Sequence, residues 1–167
     1  LEDQVRTYAV FGGTPAYLQT IDAQIPLAQN VLDGILTRGS FLYDEVHFVL
    51  QQELREPKNY FAILQAVAAG RTKLNEIKQA TGIAGPSVYL DTLQQLQLVE
   101  RIVPITETQP QKSRRGLYRL KDHYLRFWFR YVHPNRSQLE RGAANLVLER
   151  QVIPELDHFS SSAFEEI

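Results

Sequence analysis

The chain has 167 residues, 44% of them hydrophobic, 22% charged and 10% aromatic, which is material for one sizeable core or two small ones. A net charge of −1 excludes a polyanion binder that works through overall charge, so any nucleic-acid surface has to be local. With no cysteine there are no disulfides, thiolate metal sites or cysteine nucleophiles; with no long apolar run and no signal peptide the reading is cytoplasmic, without a membrane partner.

Leu1 to Tyr8 fits the end of a helix. Gly12-Gly13-Thr14-Pro15 is a turn, because paired glycines permit unusual dihedrals and Thr-Pro suits a helix start. Pro15 to Ile21 fits a short helix with Tyr17, Leu18 and Ile21 available to pack. Pro26 opens the next, with Leu27, Val31, Ile35 and Leu36 at helical spacing and a close near Gly39. Ser40 or Phe41 begins a third, whose stripe is Phe41, Leu42, Val46, Val49, Leu50 and Leu54. Arg55-Glu56-Pro57 ends it and forms a hinge.

The segment from Asn59 to Lys121 has the order of a winged helix-turn-helix. Asn59 is a good N-cap for a helix over Tyr60 to Ala68 that Gly70 stops. Thr72 caps a short second helix with Leu74 and Ile77 inward, ending at Thr81-Gly82. Pro86 pre-sets the first residue of a third helix, which carries Leu90, Leu93 and Leu96 on one side and is pinned by Leu98. Two alternating segments follow, Val99 to Ile105 and Gly116 to Lys121, around a basic loop: three helices, then a β-ribbon.

Asp122 caps an aromatic helix, His123 to Tyr131, expected under the winged helix with Leu125, Trp128 and Phe129 buried. His133-Pro134-Asn135 breaks it. Arg136 to Val152 is a further helix, Pro154-Glu155-Leu156-Asp157 leads onward, and Ser160-Ser161-Ser162 reads as a cap or linker. Ser162 to Ile167 looks like the first turn of one more helix. The chain lacks methionine and starts at Leu1, so the expectation is a piece of a longer protein. The fold class is mainly α, in three parts: a helical subdomain over 1–56, the winged helix-turn-helix over 57–121, and the aromatic helix with a connector over 122–167.

For function, the basic loop is the leading signal. Lys112, Arg114 and Arg115 sit at its tip, and Arg119 and Lys121 share a face of the returning strand, with Tyr118 and Leu120 pointing the other way. Such a tip reaches DNA phosphates or a minor groove; the competing reading is a solvated hairpin whose charges keep an edge strand from aggregating. The third helix offers Ser87, Val88, Asp91, Thr92 and Gln95 outward. Only Gln95 suits base readout, and Asp91 repels phosphate. The histidines, His47, His123, His133 and His158, include no pair at i,i+3 or i,i+4, so no metal site is expected. Neither G-x-x-x-x-G-K-[ST] nor G-x-G-x-x-G occurs, so no catalysis and no cofactor is expected of this chain alone.

Several ordered motifs resemble a known family: Gly12-Gly13-Thr14-Pro15-Ala16-Tyr17-Leu18, Glu53-Leu54-Arg55-Glu56-Pro57-Lys58-Asn59-Tyr60-Phe61, Lys73-Leu74-Asn75-Glu76-Ile77, Leu98-Val99-Glu100-Arg101, Tyr118-Arg119-Leu120-Lys121-Asp122, Leu125-Arg126-Phe127-Trp128-Phe129-Arg130 and Pro134-Asn135-Arg136. The chain is similar, nearly end to end, to AAA-like P-loop ATPases of archaea and bacteria related to the STAND signalling ATPases. The resemblance implies a P-loop domain that holds ATP and Mg, then a helical lid, a winged helix, and often a C-terminal domain like restriction endonucleases. This chain would be the lid, winged helix and connector.

It further implies that Gly13 and Pro15, in a G-x-P turn, contact the nucleotide. Glu165 or Glu166 would be the glutamate on the opening helix of the nuclease-like fold, whose D/E-x-K strand would lie beyond Ile167. The winged helix would bind DNA. One departure stands out: Gln97 occupies the place where winged helices usually have Gly to end the third helix in a left-handed turn, so either Gln97 is mildly strained or the helix ends differently. The expected function is therefore a non-catalytic part of an ATPase that binds DNA backbone through Lys112, Arg114, Arg115, Arg119 and Lys121, coupled to nucleotide state. A protein–protein or interdomain coupling module, and the scaffold of an ATP-dependent nuclease, are the alternatives.

Overall fold

Glycines in the left-handed region punctuate this chain, at Gly12, Gly39, Gly70, Gly82 and Gly142, and the helices lie between them. The structure is a computed structural model that describes residues 2–55, 57–103 and 116–164. It is mainly α, as expected, with a single two-stranded antiparallel sheet among the described residues. The chain divides into two compact units, one built from residues 2–53 with 123–164 and the other from the described part of Leu54–Asp122.

The first unit begins with α1 (Glu2–Phe11), which buries Val5, Ala9, Val10 and Phe11 and stops where the Gly12 N–H donates to the Tyr8 carbonyl at 2.9 Å. After the one-turn α2 (Pro15–Leu18) comes α3 (Leu27–Val31), extended by a π-turn over Leu32–Leu36; Val31, Ile35 and Leu36 are fully buried. Helix α4 (Phe41–Glu53) turns Leu42, Tyr43, Val46 and Leu50 inward. Its expected stripe is narrower than read, since Phe41 is 53% exposed.

Helix α8 (His123–Phe127) and the π-turn Trp128–Val132 bury Tyr124, Leu125, Phe127, Trp128, Phe129, Tyr131 and Val132, leaving Arg126 half-buried and Arg130 exposed. Leu125, Trp128 and Phe129 are buried as expected. The helix belongs to the first unit, packed on α1, with the Tyr124 hydroxyl donating to the Leu42 carbonyl and Trp128 Nε1 to the Tyr43 carbonyl at 3.0 Å. Both aromatics need acceptors for their polar ends, and the first turn of α4 supplies them. The pieces read as separate over 1–56 and 122–167 thus share one core.

The continuous helix expected over Arg136 to Val152 is interrupted. Helix α9 (Arg136–Glu140) ends at Gly142, φ +82, where Gly142 N–H donates to Leu139 and Ala143 N–H to Gln138; α10 (Ala144–Val147) and a π-turn over Leu148–Val152 follow. The expected serine linker is also helix. Ser160 lies inside α11 (Ile153–Phe164), buried, its hydroxyl donating to the Leu156 carbonyl at 2.7 Å, which removes its competition with the helix backbone.

The second unit holds α5 (Pro57–Ala68), α6 (Leu74–Thr81), α7 (Pro86–Gln95) and the strands β1 (Val99–Ile102) and β2 (Leu117–Leu120). Phe61, Ile63, Leu64, Val67, Ile77, Leu90, Leu93, Val99 and Leu120 form its core, each worth about 1.5–3 kcal/mol on burial. Two expected caps differ. Asn59 sits inside the first turn of α5, behind Pro57, and its Nδ2 donates to the Tyr89 hydroxyl at 2.9 Å. At α6 the cap residue is Lys73, and the Glu76 carboxylate reaches back to accept from the Thr72 and Lys73 N–H groups, both at 3.1 Å. Gly82 at φ +69 ends α6 and Pro86 opens α7, as the sequence indicates.

Helix α7 ends in a Schellman turn: Leu98 N–H donates to Leu93 and Gln97 N–H to Gln94, both at 3.0 Å. Gln97 stands at φ +61, alone among the described non-glycine residues in having positive φ, which is the strained alternative of the two expected there. Pro104 and Ile105, the end of the first expected strand, lie outside the described residues; the described strands pair Val99 with Leu120, Glu100 with Arg119, Arg101 with Tyr118 and Ile102 with Leu117. The Tyr118 N–H also donates to the Thr72 carbonyl at 2.7 Å, tying the ribbon to the start of α6.

Candidate nucleic-acid interface

The period-2 alternation of β2 sorts its side chains. Tyr118 and Leu120 face the helices and are buried, whereas Leu117 is 40% exposed and Arg119 lies on the outer face. Arg119 faces Glu100 across the ribbon, and its Nε donates to the Glu100 carboxylate. Half-exposed pairs of this kind contribute about 0–1 kcal/mol, but they offset the charge locally. Lys121 is exposed, and its ammonium donates to the Gln97 side-chain carbonyl. The two cations expected to act together therefore have different partners. Lys112, Arg114 and Arg115 lie outside the described residues, as do Glu165 and Glu166.

Helix α7 exposes Ser87, Val88, Asp91 and Gln95, with Val88 70% exposed; Thr92 is half-buried and donates to the Val88 carbonyl at 3.2 Å. Gln95 is thus available on a face that carries Asp91 and no cation.

A cavity of about 700 Å3 lies between α6 and the ribbon. Lys73, Asn75, Glu76 and Gln79 line one side, Arg101 and Tyr118 the other. The Arg101 guanidinium carbon is 6.0 Å from the centre of the Tyr118 ring. A β-carbon at Gly116 would overlap that guanidinium, so a larger residue there would shift the Arg101 side chain. Burial pushes the Tyr118 phenol up, and the backbone N–H of Lys73 holds the Glu76 carboxyl below its ordinary range. Arg101 was not among the cations expected to act. Its signal was available in the alternation of β1, where Arg101 shares the inward face with Val99.

Gly13 and Pro15 belong to the other unit. Gly13 is exposed, and a β-carbon there would come within 3.3 Å of the Tyr8 ring; Pro15 is exposed at the first position of α2. A nearby groove of about 750 Å3 is lined by Tyr8, Leu18, Ile21 and Asn30 among others, but by neither Gly13 nor Pro15. Its lining includes Asp3 and Asp22 and no Lys or Arg, so it has no charge to hold a phosphate.

His47 and His133, distant in sequence, meet in the same unit with ring centres 6.5 Å apart, each also beside Trp128. Burial, then the nearby Arg136 guanidinium, pushes His47 down to about 4 and His133 below its usual value. Among the described residues no three His, Cys, Asp or Glu side chains gather to hold a metal. None of the described helices is long and apolar enough to cross a membrane.

Charge is divided sharply along the chain. Residues 54–122 contain 11 Lys and Arg against 6 Asp and Glu, a net +5; the remaining residues contain 7 against 13, a net −6, which together restore the overall −1.

Residues 128–167 match the model of a family, DUF234, described as archaeal and bacterial proteins of unknown function. The chain is 33% identical over 168 residues to an uncharacterized protein, MJECL04, of Methanocaldococcus jannaschii. That alignment covers 99% of this chain and 37% of the relative, so the chain spans little more than a third of the relative's length. No solved structure matches this chain.

Proposed function

We propose that residues 54–122 act as a winged helix that binds double-stranded DNA, mainly through its phosphates and with little sequence preference. The observation that carries this reading is the net +5 of that unit against −6 for the rest of the chain. The order α5, α6, α7 and a β-ribbon supports it. The loop cations Lys112, Arg114 and Arg115 make the main contacts. Lys121 adds to them, Arg119 contributes less because of Glu100, and Gln95 is the residue on α7 suited to touch a base.

In this reading the chain is a non-catalytic part of a larger cytoplasmic AAA-like, STAND-related P-loop ATPase. ATP and Mg belong to the P-loop domain, Gly13 and Pro15 approach the nucleotide from the lid, and a nuclease-like domain follows. Nucleotide state then moves the winged helix and presents or hides its basic surface. A second reading, an interdomain or protein–protein coupling module, is favoured by the exposed Val88 and by the Arg119–Glu100 pair, which turn uncharged or neutralised surface outward.

Fluorescence anisotropy of a labelled duplex, titrated at several salt concentrations, tests the DNA reading. Contact with about three phosphates gives a log K that falls by roughly 2–3 per decade of salt. Alanine at Lys112, Arg114 and Arg115 together removes that slope. Absence of binding at low salt, or an unchanged variant, rejects DNA in favour of coupling.

A further inference from the structure

The cavity between α6 and the ribbon is built for an anion in a way that the loop tip does not explain. Two of its lining side chains, Lys73 and Arg101, are cations, and one, Glu76, is an anion. The Glu76 carboxylate is already committed: one oxygen accepts from two backbone N–H groups at 3.1 Å each, and the other lies 3.9 Å from the Lys73 ammonium. The described lining residues thus carry a net positive charge. Asn75 and Gln79, four residues apart on α6, put two exposed amides on the same helix face, both able to donate to oxygen. Leu74 and the Tyr118 ring supply apolar wall.

Arg101 lies along Gly116 and over the Tyr118 ring, which places its guanidinium in the cavity lining. A guanidinium forks onto two oxygens of one phosphate. The volume, about 700 Å3, leaves room for a phosphate together with its sugar.

We infer that this cavity receives one sugar–phosphate segment of a DNA strand, with Arg101 and Lys73 on the phosphate, Asn75 and Gln79 on its remaining oxygens, and Leu74 and Tyr118 against the sugar. The inference rests on the DNA reading above and adds a contact at the base of the ribbon to those at its tip.

The test uses the whole chain and the same duplex titration. The double variant Lys73→Ala/Arg101→Ala loses on the order of tenfold in affinity at low salt, and its salt slope falls by about 1. Gly116→Ala keeps every charge but displaces Arg101, and it produces a loss in the same direction. Thermal melting checks that the variants fold; should Arg101→Ala not fold, the surface variant Lys73→Ala/Asn75→Ala/Gln79→Ala carries the test with the same expected loss. A wild-type chain that binds duplex while these folded variants match it in affinity and slope overturns the inference and leaves the loop-tip reading standing. A wild-type chain that does not bind at low salt overturns both.

Discussion

Gln97 and Lys121 are joined across the end of α7 and the end of β2: the left-handed Gln97, φ +61, accepts a hydrogen bond from the Lys121 ammonium through its side-chain carbonyl. The same side chain donates from Nε2 to the Gln94 carbonyl at 3.1 Å. A position that glycine would fill without strain is instead used to hold a cation at the edge of the ribbon.

Gln97→Gly relieves the left-handed backbone at the expense of those two side-chain bonds and of a freer unfolded chain. The strain is the larger effect, since both bonds are solvent-exposed. A stabilisation of about 0.5–1 kcal/mol follows, seen as a rise of about 1–4 °C in the melting temperature. Gln97→Val, β-branched at the same backbone angle, lowers it. A glycine variant that melts below the wild type would show that the Lys121 contact outweighs the strain.

Glu100→Gln removes the carboxylate that Arg119 faces across the ribbon and makes the outer face of the ribbon more positive by one charge. Under the DNA reading, affinity for duplex rises about two- to threefold and the salt slope steepens, while stability falls by less than about 1 kcal/mol. Anisotropy and a denaturant titration, run on the same preparation, measure both. Unchanged affinity would place the outer face of β2 away from DNA.

Trp128 is fully buried and donates to the Tyr43 carbonyl at 3.0 Å. Trp128→Ala costs about 3–5 kcal/mol, from the cavity and from the lost bond. Tyr124→Phe keeps the ring and loses the bond to the Leu42 carbonyl, about 1 kcal/mol. Urea unfolding followed by tyrosine or tryptophan emission distinguishes the two magnitudes.

Stability depends on pH through His47, which faces Arg136, His133, Asp44 and Glu140, and through His133, which faces Arg136 and His47. Both have folded pKa values below the unfolded value near 6.5, His47 at about 4. Above pH 6.5 both states are neutral at these sites and nothing changes. Between 6.5 and about 4 the unfolded chain binds protons that the folded chain refuses, so stability falls as pH falls. The Glu76 and Glu155 carboxyls, held below their ordinary range, add their own loss only at lower pH. His47→Phe flattens the decline between pH 6.5 and 5 in denaturant titrations, and a variant with the wild-type decline would assign it elsewhere.

The sequence by itself determined where most helices of the second unit start and stop. Gly70, Gly82 and Pro86 act on the dihedrals and hydrogen bonds of their own turn, so their meaning survives without any knowledge of the rest of the chain. Gln97 was legible for the same reason, as a left-handed position lacking glycine. Tertiary structure decided what local signals do not contain. Asn59 is as good a cap as any in sequence, yet Tyr89, 30 residues on, claims its amide. The aromatic helix packs with α1 and α4 because Tyr124 and Trp128 find carbonyl acceptors more than 80 residues away. Arg119 and Arg101 look alike as cations of a basic ribbon; register alone sets one against Glu100 and turns the other into a cavity. Period and composition fix which residues can be buried or charged, whereas the partner each one meets depends on contacts between distant segments, whose free energies are settled only when the whole unit packs.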